Sequence, residues 1–325
     1  MLTCNMFSSG FPRNGCSPLW KSYKMTKRSA LRQKRKALYF ERRCKMNLCR
    51  KAALLFTLAA LSVMLMSFTC AASENTGDSI DLYVNSVPVE GAMLVNGTAY
   101  APYRILISAI DPAAAYDWDG YTRASIASGE GIEIRAYADE HYIEANERVL
   151  YNETAKNLTI EDVLYIPIRS AARAYSLNCE WSAKERAVYL NGEAEPILSG
   201  DEYYDQDVLY WLSRIISAES RGEPMLGQIA VGNVVLNRTE DGSFPDTVYG
   251  VIFDRKNGTQ FSPVSSGTIY NDPTEDAVRA AKIVLEGVEV VEDALFFCAN
   301  RVNSGSWMAQ NREYVETIGN HVFYA

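Results

Sequence analysis

The sequence predicts an α+β protein of several parts, in which a β-rich repeated segment precedes a mainly helical domain. Three observations predict this fold class. A five-residue motif at 100–104 returns at 165–169. Hydrophobic and polar residues alternate at period two in the first segment, as in half-buried strands. From Val208 onwards, hydrophobic residues instead recur at the spacing of an amphipathic helix.

Charge divides the chain into a basic head and an acidic body. Residues 1–51 carry 14 Lys or Arg and one Glu, and the rest carry 18 basic and 39 acidic residues, a net charge of −21. Residues 1–45 show little amphipathic period, so we assign them no fold. We interpret them as a short cytoplasmic tail or as the product of a mis-assigned upstream start.

Residues 46–72 have the three parts of a secretory signal peptide. Arg50 and Lys51 precede the uncharged run AALLFTLAALSVMLM at 52–66, and small residues follow at 70–72. A run of about 15 residues is shorter than the ~20 that a spanning helix needs, which favours cleavage over a retained membrane anchor. We therefore expect an exported protein that meets the membrane only if the signal stays uncleaved. A nucleic-acid partner is not expected, because the basic head precedes an export signal.

Cysteine and histidine usage argues against a disulfide scaffold and a metal site. Only two of the seven cysteines, Cys179 and Cys298, follow the signal, one in each expected domain. This indicates two buried thiols rather than one bridge. The chain has two histidines, His141 and His321, and no HExxH or CxxC motif. We predict no metal and no cofactor.

The segment 81–192 repeats one strand–turn–strand–helix–strand unit. Tyr-Ala-Pro-Tyr-Arg at 100–104 returns as Tyr-Ile-Pro-Ile-Arg at 165–169, and Trp118 returns as Trp181. Strand-like stretches follow each tryptophan, helical spacing follows each arginine, and Asn96-Gly97 predicts a tight turn.

The arginines and tryptophans of this repeat are interpreted as structural. We expect Arg104 and Arg169 to bond carbonyls at strand ends, since no second functional group accompanies either. We favour core packing for Trp118 and Trp181, although stacking on a sugar is chemically open to them.

A helix with an unusual glutamate begins after a linker at 193–204, where Gly, Pro, Ser and acidic residues gather. Its hydrophobic face carries Val208, Leu209, Leu212, Ile215, Ile216 and, one turn further, Glu219. Glutamate is rarely buried without a partner. In an apolar cleft its pKa rises, and a protonated carboxyl group can donate to a glycosidic oxygen. Position on this face alone still favours a solvated or salt-bridged structural glutamate.

The sequence around Glu219 resembles the spore cortex-lytic, SleB-type cell wall hydrolase family over 205–325. The resemblance rests on E-S-R-G-E-P at 219–224, G-Q-x-A-V-x-x-V-x-x-N-R at 227–238, and further matching segments in order to the C-terminus. Ser220 stands where the family usually has Ala, and the spacer DRKNGT at 254–259 also departs from it. The resemblance implies a lysozyme-like fold and cleavage of the β-1,4 bond between N-acetylmuramic acid and N-acetylglucosamine. It implies a lytic transglycosylase reaction with a 1,6-anhydro product, in which Glu219 is the acid and no second carboxylate acts as nucleophile.

The segment 81–192 resembles the copper amine oxidase N-terminal-like domain, on its Y-x-P-x-R element followed by a tryptophan and a short strand. The name implies neither copper nor oxidase activity. Such modules stand beside catalytic domains in secreted wall enzymes, as stalks or wall-binding units.

Seven further residues are candidates for substrate binding. The loop at 260–262 offers an amide, an aromatic ring and a hydroxyl, which are groups that bind sugars. The family motifs add four more residues. The full set is Glu223, Gln260, Phe261, Ser262, Asn300, Trp307 and His321. For Glu223 we favour a structural role, as a helix cap or a partner of Arg221 or Arg238, over tuning of Glu219 by like-charge repulsion.

The expected partner is the glycan strand of peptidoglycan, in the cell wall or the spore cortex and coat. That polymer is anionic, so the acidic body gives no long-range attraction to it. Two alternatives stay open: a muramidase-type hydrolase that uses water, and a non-catalytic wall-binding or spore-coat protein.

Overall fold

The computed structural model describes residues 77–256, 258–300 and 307–325. The basic head at 1–45 and the signal at 46–72 lie outside the described residues. The described residues belong to one compact unit. Among the residues described, no helix has the length and hydrophobicity needed to cross a bilayer.

The first part of this unit is built from short strands and two helices. The strands are β1 (Asp78–Ser79), β2 (Asp81–Val84), β3 (Val87–Val89), β4 (Met93–Val95), β5 (Thr98–Pro102), β6 (Ala115–Asp119), β7 (Ala124–Gly129), β8 (Ile132–Tyr137), β9 (Tyr142–Ala145), β10 (Arg148–Tyr151), β11 (Leu158–Ile160), β12 (Val163–Pro167), β13 (Asn178–Ser182) and β14 (Ala187–Asn191). The helices are α1 (Tyr103–Ile110) and α2 (Ile168–Ala174), and each begins directly after a strand that ends in proline.

These strands form three sheets, in the orders β1-β4-β5-β12-β11, β10-β9-β8-β7-β6 and β13-β14-β2-β3. Only β14 and β2 pair in parallel. The expected tight turn is confirmed, because Asn96 and Gly97 both have positive φ and join β4 to β5 in a two-residue loop. The strands expected after each tryptophan are confirmed as β7 and β14. A core that includes Leu82, Tyr103 and Ile143 fills the space between the sheets and helices.

The second part is mainly helical. Its helices are α3 (Gly200–Tyr203), α4 (Gln206–Ser220), α5 (Met225–Glu240), α6 (Val248–Phe253), α7 (Ser262–Ser266), α8 (Glu275–Leu285) and α9 (Trp307–Asn311), with a 3₁₀ turn at Thr268–Tyr270. A sheet in the order β15-β17-β16 accompanies them, with β15 (Phe296–Ala299), β16 (Tyr314–Ile318) and β17 (His321–Tyr324).

Helix α4 forms where the periodicity predicts it. Asp205 caps its N-terminus by accepting hydrogen bonds from the backbone N–H groups of residues 207 and 208. Leu212, Ile215 and Ile216 are fully buried on the expected face. Helix α5 packs very closely against this face, because a Cβ at Gly232 would lie 3.0 Å from Ile216 Cδ1 and 2.9 Å from Val284 Cγ2. The small residues of α5 therefore permit the helical core to close.

A buried carboxylate joins the two parts of the chain. Glu286, whose side chain is 1% exposed, accepts two hydrogen bonds of 2.8 Å from the Nε and Nη2 atoms of Arg148 in β10. It accepts a third, also of 2.8 Å, from the Tyr204 hydroxyl. The segment expected to be a linker is also held, since Asn146 Nδ2 donates to the Ile197 carbonyl at 2.9 Å.

The two cysteines of the described residues are half-buried rather than buried, which corrects one expectation. Cys179 forms no disulfide, as expected. Burial raises the pKa of the Cys179 thiol, and the nearby Arg169 acts in the opposite direction.

Candidate active site

A groove of about 800 Å³ lies beside the C-terminal end of α4. Its walls combine charged, hydrogen-bonding and aromatic side chains from α4, α5, α7, α9, β15 and the loops between them. They are Glu219, Arg238, Asp241, Ser243, Phe244, Asp254, Gln260, Phe261, Ser262, Leu295, Phe296, Phe297, Met308 and Arg312.

Glu219 faces this groove from the last turn of α4. It is half-buried, and burial raises the pKa of its carboxyl group. Its carboxylate makes no hydrogen bond or ion pair with another described residue. A carboxyl group without partners in a partly apolar groove favours its protonated form, which is the form that a general acid requires.

Arg238, which the sequence suggests only as a partner for Glu223, also lines the groove. It is 5% exposed, and its Nε donates to the Leu295 carbonyl at 2.7 Å. Burial lowers the pKa of Arg238 to about 10, against the opposing effect of Asp254. Its guanidinium lies over the rings of Phe244 (4.8 Å) and Phe261 (5.1 Å). The groove therefore contains a cation that stays charged at neutral pH, within the same wall as the aromatic rings.

Two aspartates of the groove were also missed. Asp241 accepts a hydrogen bond of 2.8 Å from the Ser243 backbone N–H, and bonds from Ser243 lower the pKa of its carboxyl group. Asp254 accepts a 2.8 Å bond from the Lys256 backbone N–H. The only sequence signal for either is its position after a helix, which is too common to single it out. Among the described residues, no group of three or more His, Cys, Asp or Glu is placed to hold a metal ion.

Three of the predicted substrate-binding residues come together in the groove with Glu219. Phe261 is buried, 6.4 Å from the ring of Phe297. Gln260 is half-buried, and its amide makes only a long 3.5 Å contact with the Gly258 carbonyl. Ser262 is exposed at the start of α7. Gln260 and Ser262 therefore keep hydrogen-bonding capacity on the groove wall.

Three other predicted residues gather instead around the turn at Asn320. Glu223 accepts bonds from the Asn320 backbone N–H at 2.7 Å and from its side-chain amide at 3.1 Å. Burial opposes ionisation of Glu223, but these bonds and the nearby His321 outweigh it and lower its pKa. The Asn300 backbone N–H donates to the Asn320 carbonyl at 2.7 Å. Glu223 thus pairs with Asn320 rather than with Arg221 or Arg238.

His321 lies at the edge of the same turn. Its ring is 5.4 Å from the ring of Phe297, which lines the groove. Burial lowers the pKa of His321, against the opposing charge of Glu223, and its buried Nδ1 has no hydrogen-bond partner among the described residues. Trp307 begins α9, and its side chain lies outside the described part of the chain.

Two asparagines of α5 hold the groove wall in place. Asn233 donates to the Val288 carbonyl and accepts from the Val290 N–H, both at 2.8 Å. Asn237, placed on the hydrophobic face by its spacing, donates to the Val291 and Ala294 carbonyls at 3.0 Å. These bonds fix the segment that leads into β15, whose residues 296 and 297 line the groove.

Two family models match the chain. Residues 222–324 match the Cell Wall Hydrolase model, and residues 83–190 match the Copper amine oxidase N-terminal domain model. Both resemblances found in the sequence are confirmed.

Curated relatives match the C-terminal region. The spore cortex-lytic enzyme of Bacillus cereus is 37% identical over 120 residues, which are 37% of this chain and 45% of that protein. The spore cortex-lytic enzyme of Oceanobacillus iheyensis is 32% identical over 128 residues, 39% of this chain and 45% of that protein. The chain thus spans less than half the length of these relatives.

A solved structure also matches. The catalytic domain of the germination-specific lytic transglycosylase SleB from Bacillus anthracis is 35% identical, over 40% of this chain and 100% of that chain, with a TM-score of 0.35. Over residues 222–324 the chain is therefore similar to the cell wall hydrolase family.

Proposed function

We propose that this chain is an exported enzyme that cleaves the β-1,4 bond between N-acetylmuramic acid and N-acetylglucosamine in peptidoglycan, as a lytic transglycosylase. The observation that carries the proposal is Glu219, a half-buried carboxyl group with a raised pKa on the wall of the groove. The match to the family model begins at residue 222, so the role of Glu219 rests on this geometry. The names of the relatives, spore cortex-lytic enzyme and lytic transglycosylase, support the type of reaction.

Glu219 acts twice in the proposed reaction. Its protonated carboxyl group donates a proton to the glycosidic oxygen as the bond to C1 of the muramic acid breaks. The resulting carboxylate accepts the proton of the muramic 6-hydroxyl, whose oxygen bonds to C1 and closes the 1,6-anhydro ring. No water is consumed, and Glu219 ends protonated as it began. Acid–base catalysis of this kind contributes roughly 10²–10⁴-fold to a rate.

The groove supports this chemistry in two further ways. Arg238 places a buried positive charge on the wall of the groove. Gln260 and Ser262 offer hydrogen bonds to sugar hydroxyl and acetamido groups, and Phe261 is buried in the wall between them. Glu223, Asn300 and His321 contribute by shaping the Asn320 turn.

The proposed function includes an architecture and a location for the protein. Residues 205–325 form the lysozyme-like catalytic domain, and residues 81–192 form a repeated stalk that associates with the wall. Residues 46–72 direct export to the cell wall or to the spore cortex.

The decisive experiment compares Glu219→Gln with Glu240→Gln, an exposed glutamate of α5 that does not line the groove. Both variants should fold, and only Glu219→Gln should lose nearly all release of soluble glycan from purified sacculi. Full activity of Glu219→Gln would remove the assignment. Binding to sacculi without release by the parent protein would instead favour the non-catalytic alternative.

A hydrolase that uses water is the second candidate, because Asp241 and Asp254 line the same groove as Glu219 and either carboxylate is a possible base for a water molecule. Mass spectra of released muropeptides separate the two reactions, since the anhydro product is lighter by one water. The transglycosylase should keep its activity in Asp241→Asn and Asp254→Asn. A reducing-end product that disappears in one of these variants would establish the hydrolase.

A further inference from the structure

Arg104 and Arg169 have guanidinium groups without an ion pair or a hydrogen bond to another described residue. Both are exposed, in the first turns of α1 and α2. Arg104 only lies over the ring of Tyr116, at 4.7 Å. The expectation that they bond carbonyls at strand ends is therefore wrong, and both remain available to a ligand.

The tryptophan expected to pack in the core after each arginine is exposed instead. Trp118 is 57% exposed and Trp181 is 43% exposed. They lie at equivalent places on β6 and β13, which are both edge strands of their sheets. An exposed indole combines a large apolar face with one hydrogen-bond donor, a common feature of binding surfaces.

Each tryptophan shares a pocket with one of these arginines and with a carboxylate. The Trp118 pocket, of about 360 Å³, is lined by Arg104, Asp117 and Trp118 among others. The Trp181 pocket, of about 560 Å³, is lined in the same way by Arg169, Glu180 and Trp181, with Asn152 and Thr154 at its edge. A second functional group thus accompanies each arginine, which the sequence did not reveal.

The pairing of β5 with β12 shows that the two pockets correspond in space. Ala101 lies opposite Ile166, Pro102 opposite Tyr165 and Tyr100 opposite Pro167. The first residue of each motif therefore lies opposite the third residue of the other motif, across an antiparallel pair of strands. This arrangement has an approximate two-fold axis between β5 and β12, and the axis relates Arg104 to Arg169.

We propose that the Trp118 pocket and the Trp181 pocket are a pair of glycan-binding sites, each of which stacks one sugar ring of a peptidoglycan strand on its indole. The apolar C–H face of a pyranose suits the indole, while its equatorial hydroxyl and acetamido groups need donors and acceptors at the edge. The arginine and the carboxylate of each pocket provide both. The identity of the glycan rests on the proposed function.

The charge of the chain supports this assignment. The body of the protein carries a net charge of −21 and has no long-range attraction to an anionic polymer. Binding must then come from local contacts, and the guanidinium groups of Arg104 and Arg169 line the same pockets as the two exposed indoles. Two pockets that bind the same glycan strand or neighbouring glycan strands increase the overall affinity, since the second pocket binds at a high effective concentration.

The test uses the full exported chain carrying Glu219→Gln, so that the target is not digested. Trp118→Ala, Trp181→Ala and the double variant are titrated onto insoluble peptidoglycan, with Tyr121→Ala as the control because Tyr121 is 96% exposed and lines neither pocket. We expect each single variant to raise the Kd by about tenfold and the double variant by about a hundredfold or more, as for the loss of two linked sites. Tyr121→Ala should stay within about twofold of its parent. Binding should persist when the stem peptides are removed enzymatically.

Unchanged affinity of the double variant, or loss of binding on peptide removal, would overturn the proposal. The pair Arg104→Met and Arg169→Met gives a second route to the same decision if a tryptophan variant does not fold. With Glu219 intact, the tryptophan variants should cleave short soluble glycans at the parental rate. A protein with Glu219 intact that binds through these pockets but cleaves no glycan would refute the proposed function and leave the binding proposal unchanged.

Discussion

Replacing Glu286 by alanine tests how strongly the β-rich region is held against the helices. In the native protein this carboxylate is almost fully buried and bonds the Arg148 guanidinium twice and the Tyr204 hydroxyl once. Glu286→Ala removes these three bonds and a longer one of 3.4 Å from Arg173 Nη2. It leaves the Arg148 guanidinium over the ring of Tyr203 at 3.4 Å, on a side chain that is 12% exposed, without its carboxylate partner.

The magnitude follows from the charge that is left behind. Removing one partner of a buried ion pair costs about 3–5 kcal/mol, because the other charge remains desolvated. The cation–π contact with Tyr203 offsets part of this. The additional Arg173 contact, at 3.4 Å from a 42% exposed side chain, adds little. We expect Glu286→Ala to lower the free energy of unfolding by about 3 kcal/mol.

The assay is urea unfolding followed by circular dichroism, with two comparisons. The double variant Arg148→Met with Glu286→Leu should recover most of the loss, since no charge stays buried. Asp139→Asn, which removes the exposed Asp139–Lys156 pair, should change the free energy of unfolding by less than about 0.5 kcal/mol. A loss below about 1 kcal/mol for Glu286→Ala, or a double variant no more stable than the single one, would refute the reasoning.

Three further predictions concern the helical part. Because burial raises the pKa of Glu219, the rate of sacculus lysis should stay high above the usual range of a glutamate and fall as the pH rises through the raised pKa, in a turbidity profile. Protonated Glu219 stabilises the folded protein at low pH, and this contribution is lost as the pH rises through the pKa of the folded state. At pH 8 the midpoint urea concentration of unfolding should therefore be higher for Glu219→Gln than for the unsubstituted protein. At pH 3 the two midpoints should be equal. Gly232→Ala should destabilise by about 1–3 kcal/mol, because its Cβ would meet Val284 at 2.9 Å, whereas Gly242→Ala, with no atom within 4 Å, should be nearly neutral.

The sequence predicts best what depends on neighbours along the chain. The position of Glu219 on the hydrophobic face of α4 follows from periodicity, and the turn at 96–97 follows from its two residue types. The loop residues 260–262 were found through the family motif, and they do line the groove with Glu219.

Features that depend on distant parts of the chain were missed. Glu223 meets Asn320, 97 positions further on, and no local pattern indicates that contact. Arg238 becomes a groove residue only because α5 packs beside β15. Trp118 and Trp181 are expected in the core, but both are exposed on strands that lie at the edges of their sheets, a placement that depends on the sheet order.

The Glu286 contact also determines how far the proposed enzyme can reach. If the β-rich first part of the chain binds the wall, the groove is not joined to it by a flexible linker. The Arg148–Glu286 ion pair and the hydrogen-bonded segment at 197–200 fix the orientation of the groove. A molecule bound to the wall would then cleave only glycosidic bonds at a fixed distance from its binding site. Each further cleavage would require dissociation and rebinding. The spacing of cleavage sites along a glycan strand would therefore depend on the dimensions of the protein.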